Sequence, residues 1–325
     1  MGVEVAISPY IIEKLVLSHS SRSSGAKCKR RGYEFAQMFG KPQGAREDTF
    51  DADVGTALHE GLEAWMMTRD EDKAILAMGL AYPLEQEYLD PKNNNKSLEA
   101  AFSTLQALMK SPYLDEYEIA KIRRPDGVVI SAVEIAFAIE IINSPFPLPV
   151  YYVGKIDLIL RHRSLGNYIV TDLKSTRQWA TDMRMKFEYD EQTVPYAIIL
   201  SHILGEEIRA LETAYLSAFV DLLDPLVSLY KIRKSPDMIR DWHTGLCEEI
   251  RQLSKFYKNQ WWPRATNGDT CFAYKRACEF AEYCSVRQPS IISRMISGVP
   301  RKGLFSQGDP DFIIQAQLPY VELEG

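Results

Sequence analysis

Along the chain, apolar residues recur first every three and four positions and later every two, so helices precede strands. Gly55, His59, Leu62, Trp65 and Met66 follow the helical spacing, and Asp53 ahead of them reads as the cap of that helix. Ser8 followed by Pro9 predicts an earlier helix start. Further helices are predicted over residues 71–89 and 98–109. The Ser-rich stretch at 18–24 reads as a flexible loop between two short helices.

The period then changes. Residues 128–142 are rich in Val, Ile and Phe and read as strand, as do 150–161 and 167–174. Gly166-Asn167 sits between the last two as a hairpin turn. A helix over 189–204, strands near 208–219 and 227–232, and a long helix over 236–258 complete the pattern. This order predicts a mixed α/β chain with one central mixed β-sheet flanked by helices, rather than a doubly wound parallel fold.

Composition narrows the class. The chain has 325 residues, 46% hydrophobic and 25% charged, which supplies a core and excludes wholesale disorder. Lys and Arg number 38 against 44 Asp and Glu, a net charge of -6. That argues against binding nucleic acid through a global positive field and leaves a local basic groove open. No apolar run is long enough to span a bilayer, and no basic-then-apolar leader opens the chain, so neither a membrane span nor a secretory signal is expected. Five cysteines, an odd number, point to the reducing cytoplasm, where thiols bind metal or stay free.

The most informative chemistry lies in Gly154-Lys155-Ile156-Asp157 and in Thr171-Asp172-Leu173-Lys174. Both aspartates are embedded in strand-forming apolar residues, where a carboxylate is costly to bury without a cation or several hydrogen bonds. Two carboxylates on paired strands can converge on one divalent ion, and hard oxygen ligands suit Mg²⁺ or Mn²⁺. Asp172 and Lys174 are two residues apart and so share one face of a strand. The plainer reading of that pair alone is a salt bridge on a solvated face.

This G-x-x-D strand followed by an apolar D-x-K strand resembles the PD-(D/E)XK nucleases. The RecB-like branch adds a histidine on an upstream helix, matched here by His59 in Gly55-Thr56-Ala57-Leu58-His59. It also adds Q-x-x-x-Y after the D-x-K strand, matched by Gln192-Thr193-Val194-Pro195-Tyr196. The resemblance spans about residues 8–285. It implies a restriction-endonuclease-like core in a nuclease domain over 1–290, followed by a tail over 291–325. It also implies a metal-dependent DNA exonuclease. His59, Asp157 and Asp172 would bind the catalytic ion, with the Leu173 carbonyl as a further ligand. Lys174 would activate or orient the attacking water. Gln192 and Tyr196 would contact DNA or support the site. Glu134, on the preceding strand, reads either as support for the site or as a solvent-facing strand residue, the second being favoured. A structure-specific endonuclease and a non-catalytic DNA-binding module are the alternatives on the same fold.

One early cysteine, Cys28, and three late ones, Cys271, Cys278 and Cys284, resemble the iron–sulfur staple of several RecB-like nucleases, the AddB subunit and the CRISPR-associated adaptation exonucleases among them. The resemblance implies a 4Fe–4S cluster in a helical and cysteine lobe that joins the two ends of the domain. The family usually has a C-x-x-C pair, whereas six residues separate Cys271 from Cys278, and zinc stays as the alternative. Cys247 reads as a core thiol.

DNA with single-stranded character is the expected partner. Basic clusters occur at Lys27, Lys29, Arg30 and Arg31, at Arg184 and Lys186, and at Lys275 and Arg276. Trp179, Tyr189, Trp261 and Trp262 are candidate stacking aromatics. No G-x-x-x-x-G-K-S/T motif is present, so any unwinding would come from a helicase or recombination partner.

Overall fold

The computed structural model describes residues 13–33, 50–84, 97–124, 126–176, 180–205, 211–221, 223–259, 261–265, 268–273, 276–278, 280–284, 310 and 312–321. The protein is mixed α/β, with a central sheet of parallel and antiparallel strands flanked by helices. The first elements are β1 (Leu15–Leu17), α1 (His19–Lys27), α2 (Phe50–Thr68), α3 (Glu71–Ala81), α4 (Leu98–Met109) and α5 (Pro112–Asp115). Then come β2 (Tyr117–Ile119), β3 (Lys121–Arg123), β4 (Val129–Ser131), β5 (Val133–Ile142), β6 (Val150–His162) and β7 (Tyr168–Thr176). They are followed by α6 (Ala180–Tyr189), α7 (Val194–Leu204), β8 (Leu211–Phe219), β9 (Leu226–Lys234) and α8 (Pro236–Lys258). The last are α9 (Gly268–Cys271), β10 (Phe272–Ala273), β11 (Arg276–Ala277), α10 (Ala281–Cys284) and β12 (Ile314–Pro319). No helix among the described residues is long and apolar enough to cross a membrane.

The chain divides into two compact units, one of residues 47–135 and 155–240, the other of 1–46, 136–154 and 241–325. In the first of these, β6 runs antiparallel to β7, with Leu158 opposite Thr171. β7 runs parallel to β8, with Asp172 opposite Tyr215, and β8 returns antiparallel as β9. A parallel pair needs a crossover, which α6 and α7 supply. α2 buries Val54, Leu58, Leu62, Trp65 and Met66, spaced by three and four, in one core with Leu105 of α4 and with Leu158, Leu173 and Leu216 of the sheet.

In the other unit, β1 pairs parallel with the start of β6, and β12 pairs parallel with β5, Ile314 opposite Phe137. The tail thus contributes a sheet strand. α8 buries Leu246, Cys247, Ile250 and Leu253 at helical spacing, and Trp242 meets Tyr152 edge-on at 5.1 Å. Cys247 is fully buried, and burial raises its thiol pKa, as suits a core position.

Four expectations change. Residues 19–24 form most of α1 instead of a loop, because Ser18 caps it in a reciprocal capping box with Ser21. Asp53 lies inside α2, whose first helical residue is Phe50, and so is not its cap. α3 stops at Ala81 because Tyr82 precedes Pro83 and is driven to extended geometry, with ψ 134°. The predicted helix over 189–204 begins only at Val194, because Pro195 fits only the first turn of a helix. α6 before it belongs to a separate helix. The cap expected at Ser8-Pro9 lies outside the described residues.

Candidate metal centre

The candidate site lies within one compact unit. Its strand geometry starts with Asp157, one residue beyond the Leu158–Thr171 pair, so its side chain reaches the neighbouring strand. Asp157 Oδ2 accepts the Leu173 N–H at 2.8 Å. The apolar face of α2 sets His59 against the same strands. His59 Nε2 lies 3.0 Å from the Leu173 carbonyl oxygen, which can only accept, so Nε2 carries the proton and donates. That leaves Nδ1 facing Asp157 Oδ2 at 3.7 Å and Glu134 Oε1 at 3.9 Å.

Glu134, read from the sequence as support for the site or as a solvent-facing strand residue, is 38% exposed and faces His59. Its backbone has φ 48°, a left-handed state rare for a non-glycine residue, at the second position of β5. One carboxylate oxygen faces His59 and the other takes a bond from Lys155 Nζ at 3.3 Å. Ligand atoms of His59, Glu134 and Asp157 all lie within 4.8 Å of one another. They line a cleft that Leu62, Glu63, Val133, Leu158 and Leu173 also border. An imidazole and two carboxylates suit a divalent cation that takes oxygen and nitrogen ligands.

Asp172 is buried beside them and serves a different set of bonds. Its Oδ1 accepts from Gln192 Nε2 at 2.8 Å, and its Oδ2 pairs with Lys174 Nζ at 2.7 Å. Asp172 and Lys174 thus meet across one strand face, as their spacing predicts. Gln192 lies in the turn before α7 and Tyr196 on α7, with Gln192 Nε2 3.4 Å from the Tyr196 hydroxyl. The structure therefore brings together all the predicted residues around Asp172. The ligand atoms within mutual reach are those of His59, Glu134 and Asp157, with Asp172 next to them, and the Leu173 carbonyl accepts from His59.

Electrostatics follow from burial and crowding. Burial pushes the Asp172 carboxyl up to about 7, with the Lys174 ammonium pulling against it. Burial likewise raises Asp157, against the pull of His59 and the Leu173 N–H. His59 is held above its usual range: burial lowers it, but the Glu134, Asp157 and Asp172 carboxylates outweigh that. Glu134 is held below its usual range, since His59 and Lys155 outweigh its burial. Lys174 stays above the usual lysine range because Asp172 outweighs its own burial. A centre with two carboxyls prone to protonation and a histidine prone to charge is one that a cation would relieve.

The cysteines are less gathered. Cys278 N–H donates to the Cys271 carbonyl at 2.7 Å, and the Arg30 side chain donates to the Cys284 carbonyl at 2.8 Å. The Cys28 segment thus lies against the Cys284 turn. Among the described residues, no three cysteine sulfurs come within mutual ligand range. Of the candidate DNA contacts, Arg184, Lys186, Tyr189 and Trp261 are exposed. Trp262 is buried against Tyr33 and Phe256, and Lys29 bonds Glu249. Trp179 and Lys275 lie outside the described residues.

No protein-family model and no curated protein matches the chain. Among solved structures it is similar to SSO0001, at 15% identity over 72% of this chain and 85% of that one, with a TM-score of 0.27. A likeness that low carries no argument about fold or function.

Proposed function

We propose that this chain is a metal-dependent DNA nuclease of the RecB-like PD-(D/E)XK type, acting as an exonuclease. The observation that supports it most is the convergence of His59, Glu134 and Asp157 ligand atoms beside the buried Asp172–Lys174 pair. That cluster is assembled from the elements that carry the resemblance: an upstream helix, a G-x-x-D strand, a D-x-K strand and a Q-x-x-x-Y segment. The donor set fits Mg²⁺ or Mn²⁺, with His59, Glu134 and Asp157 as ligands and Asp172 adjacent. Such an ion, when bound, neutralises a scissile phosphate and acidifies a water.

The chain's own groups complete the chemistry. His59, fixed through Nε2 by the Leu173 carbonyl, presents Nδ1 to the carboxylates. Lys174 is held charged by Asp172 and supplies a fixed cation for a phosphate or for orienting water. Gln192 holds Asp172, and the Tyr196 hydroxyl in turn meets Gln192, so both support the site. Single-stranded DNA is the proposed substrate, with a helicase or recombination partner supplying it.

The four-cysteine staple is part of the proposal, as an iron–sulfur or a zinc site. Contact between the Cys28 segment and the Cys284 turn supports it, while the sulfur positions do not. A reducing, cytoplasmic setting is proposed from the five cysteines.

The test is incubation of end-labelled single- and double-stranded DNA with Mg²⁺ or Mn²⁺, wild type beside Lys174→Ala. Shortening by wild type alone, abolished by chelation, is the expected result. Cleavage by both proteins sinks the assignment, and degradation of a covalently closed circle turns it to an endonuclease. DNA binding without cleavage at any concentration of either ion leaves only a binding module. Iron, sulfide and zinc analysis of anaerobically purified protein decides the cysteine site.

A further inference from the structure

Lys234, the last residue of β9, is fully buried. A lysine is almost never fully buried without partners, since its ammonium must replace every hydrogen bond it loses to water. Its Nζ donates to three backbone carbonyls: Phe187 at 3.3 Å, Glu188 at 3.2 Å and Asp190 at 2.8 Å. Three donors thus meet three acceptors, and no proton is left over. The carbonyls belong to the C-terminal end of α6 and the turn after it, where a helix accumulates negative partial charge.

That turn leads directly to the site. Asp190 Oδ1 accepts the Gln192 N–H at 2.8 Å, and Gln192 Nε2 donates to the buried Asp172 Oδ1 at 2.8 Å. Phe187 stacks on Tyr215 with ring centres 4.0 Å apart, and Met183 joins the same apolar cluster. Apolar packing therefore docks α6 without help from the ammonium. The ammonium instead bonds the turn from which Gln192 leaves, through the Asp190 carbonyl.

We infer that Lys234 is a positioning residue: its ammonium fixes the Phe187–Asp190 carbonyls, and through Asp190 and Gln192 it sets the Asp172 carboxylate beside the metal ligands. The inference rests on the nuclease reading for its functional meaning. The Lys234 side chain touches no candidate ligand and lies too deep to meet DNA. Polar groups that orient a metal site from behind matter to affinity or activity far more than their remoteness suggests.

The experiment measures Mn²⁺ affinity by electron paramagnetic resonance, and DNA cleavage as kcat and KM separately, in wild type, Lys234→Met, Gln192→Ala and the double variant. Lys234→Met keeps the buried stem and removes the donors. The expected result is activity lowered about 10–100-fold, with Mn²⁺ affinity weakened in the same direction but less, since Asp172 stands beside the proposed ligands and not among them. kcat should fall with KM for DNA unchanged, and the double variant should be no worse than the weaker single one. Folded Lys234→Met with wild-type Mn²⁺ affinity and kcat overturns the positioning role, as do losses that simply add in the double variant. If Lys234→Met does not fold, Lys234→Gln is read by the same measurements and decides in the same way. Wild type that binds no Mn²⁺ or cuts no DNA sinks the nuclease reading instead. Wild type that binds Mn²⁺ but cuts nothing still lets the affinity of the variants decide the role of Lys234.

Discussion

Lys174 Nζ stands 2.7 Å from Asp172 Oδ2, and the carboxylate it pairs with has no solvent exposure. One lysine does not fully offset the burial of that carboxyl, which is raised to about 7. In metal-free protein the folded state therefore holds a proton here that the unfolded chain releases near its ordinary value of about 4. A raised folded pKa contributes stability that is fully present below the unfolded value and lost as pH rises through the folded one. The window is thus from about 4 to about 7, and the contribution is on the order of a few kcal/mol. Urea unfolding in a chelator at pH 5 and pH 8 should show wild type losing more stability than Asp172→Asn across that interval. Equal losses in the two proteins would rule out Asp172 as the titrating group.

The ligand set makes a separate prediction. Glu134 joins His59 and Asp157 in the proposed ligand group, whereas Asp172 bonds Lys174 and Gln192. Mn²⁺ at a hundredfold excess over Kd should stabilise wild type by about 2.7 kcal/mol. Glu134→Gln should lose most of that gain with little change in metal-free stability, because Glu134 is 38% exposed. The gain should also shrink as pH falls, since His59 and Asp157, both raised, must give up protons to bind the ion. Thermal unfolding with and without Mn²⁺ reads both effects. An unchanged gain in Glu134→Gln would return Asp172 to the first ligand set.

The glycine of the G-x-x-D strand has a packing reason. A Cβ at Gly154 would stand 2.6 Å from the Phe137 ring, itself fully buried. Phe137 cannot yield without losing its own contacts, so Gly154→Ala should cost about 1–3 kcal/mol by overpacking. Denaturant unfolding measures it, and Phe137→Leu in the same chain should recover part of the loss. A neutral Gly154→Ala would mean that the glycine serves something other than this contact.

How far the site can be read from sequence depends on what each position requires. The strands around Asp157 and Asp172 are legible because their apolar runs are long and the Gly166-Asn167 turn separates them; Gly166 has φ 73°. Asp172 and Lys174 meet because side chains alternate along any strand. Glu134 is not legible, because its place depends on a φ of 48° that no neighbouring residue demands. The break between α6 and α7 is half legible: Pro195 marks the new start, but the old end depends on Lys234, which is 44 residues away from Asp190. Ser18 fails for a local reason. Serine bonds its own backbone equally well in a loop and at a helix cap, and only the reciprocal bond with Ser21 decides.

The last prediction concerns Glu249, which gathers Arg22 at 2.7 Å, Lys29 at 3.0 Å and the Tyr33 hydroxyl at 2.7 Å. Glu249 lies on α8, Arg22 on α1, and Lys29 and Tyr33 just beyond it on either side of Gly32, where a Cβ would stand 2.5 Å from the Gly25 nitrogen. Burial would raise the Glu249 carboxyl, but Arg22, Tyr33 and Lys29 together hold it below the usual range. A depressed folded pKa gives stability present above the unfolded value and lost as pH falls through the folded one, so this hub weakens in acid. Glu249→Ala removes the carboxylate that Arg22, Lys29 and the Tyr33 hydroxyl share, and should cost about 1–3 kcal/mol. Tyr33→Leu would lose packing as well, so Tyr33→Phe is the cleaner partner, and it should cost about 1 kcal/mol. Because the hub flanks Cys28, Glu249→Ala should also raise the rate at which that thiol reacts with an alkylating probe. Stability and labelling that both match wild type would show that α1 is held to α8 by apolar contacts alone.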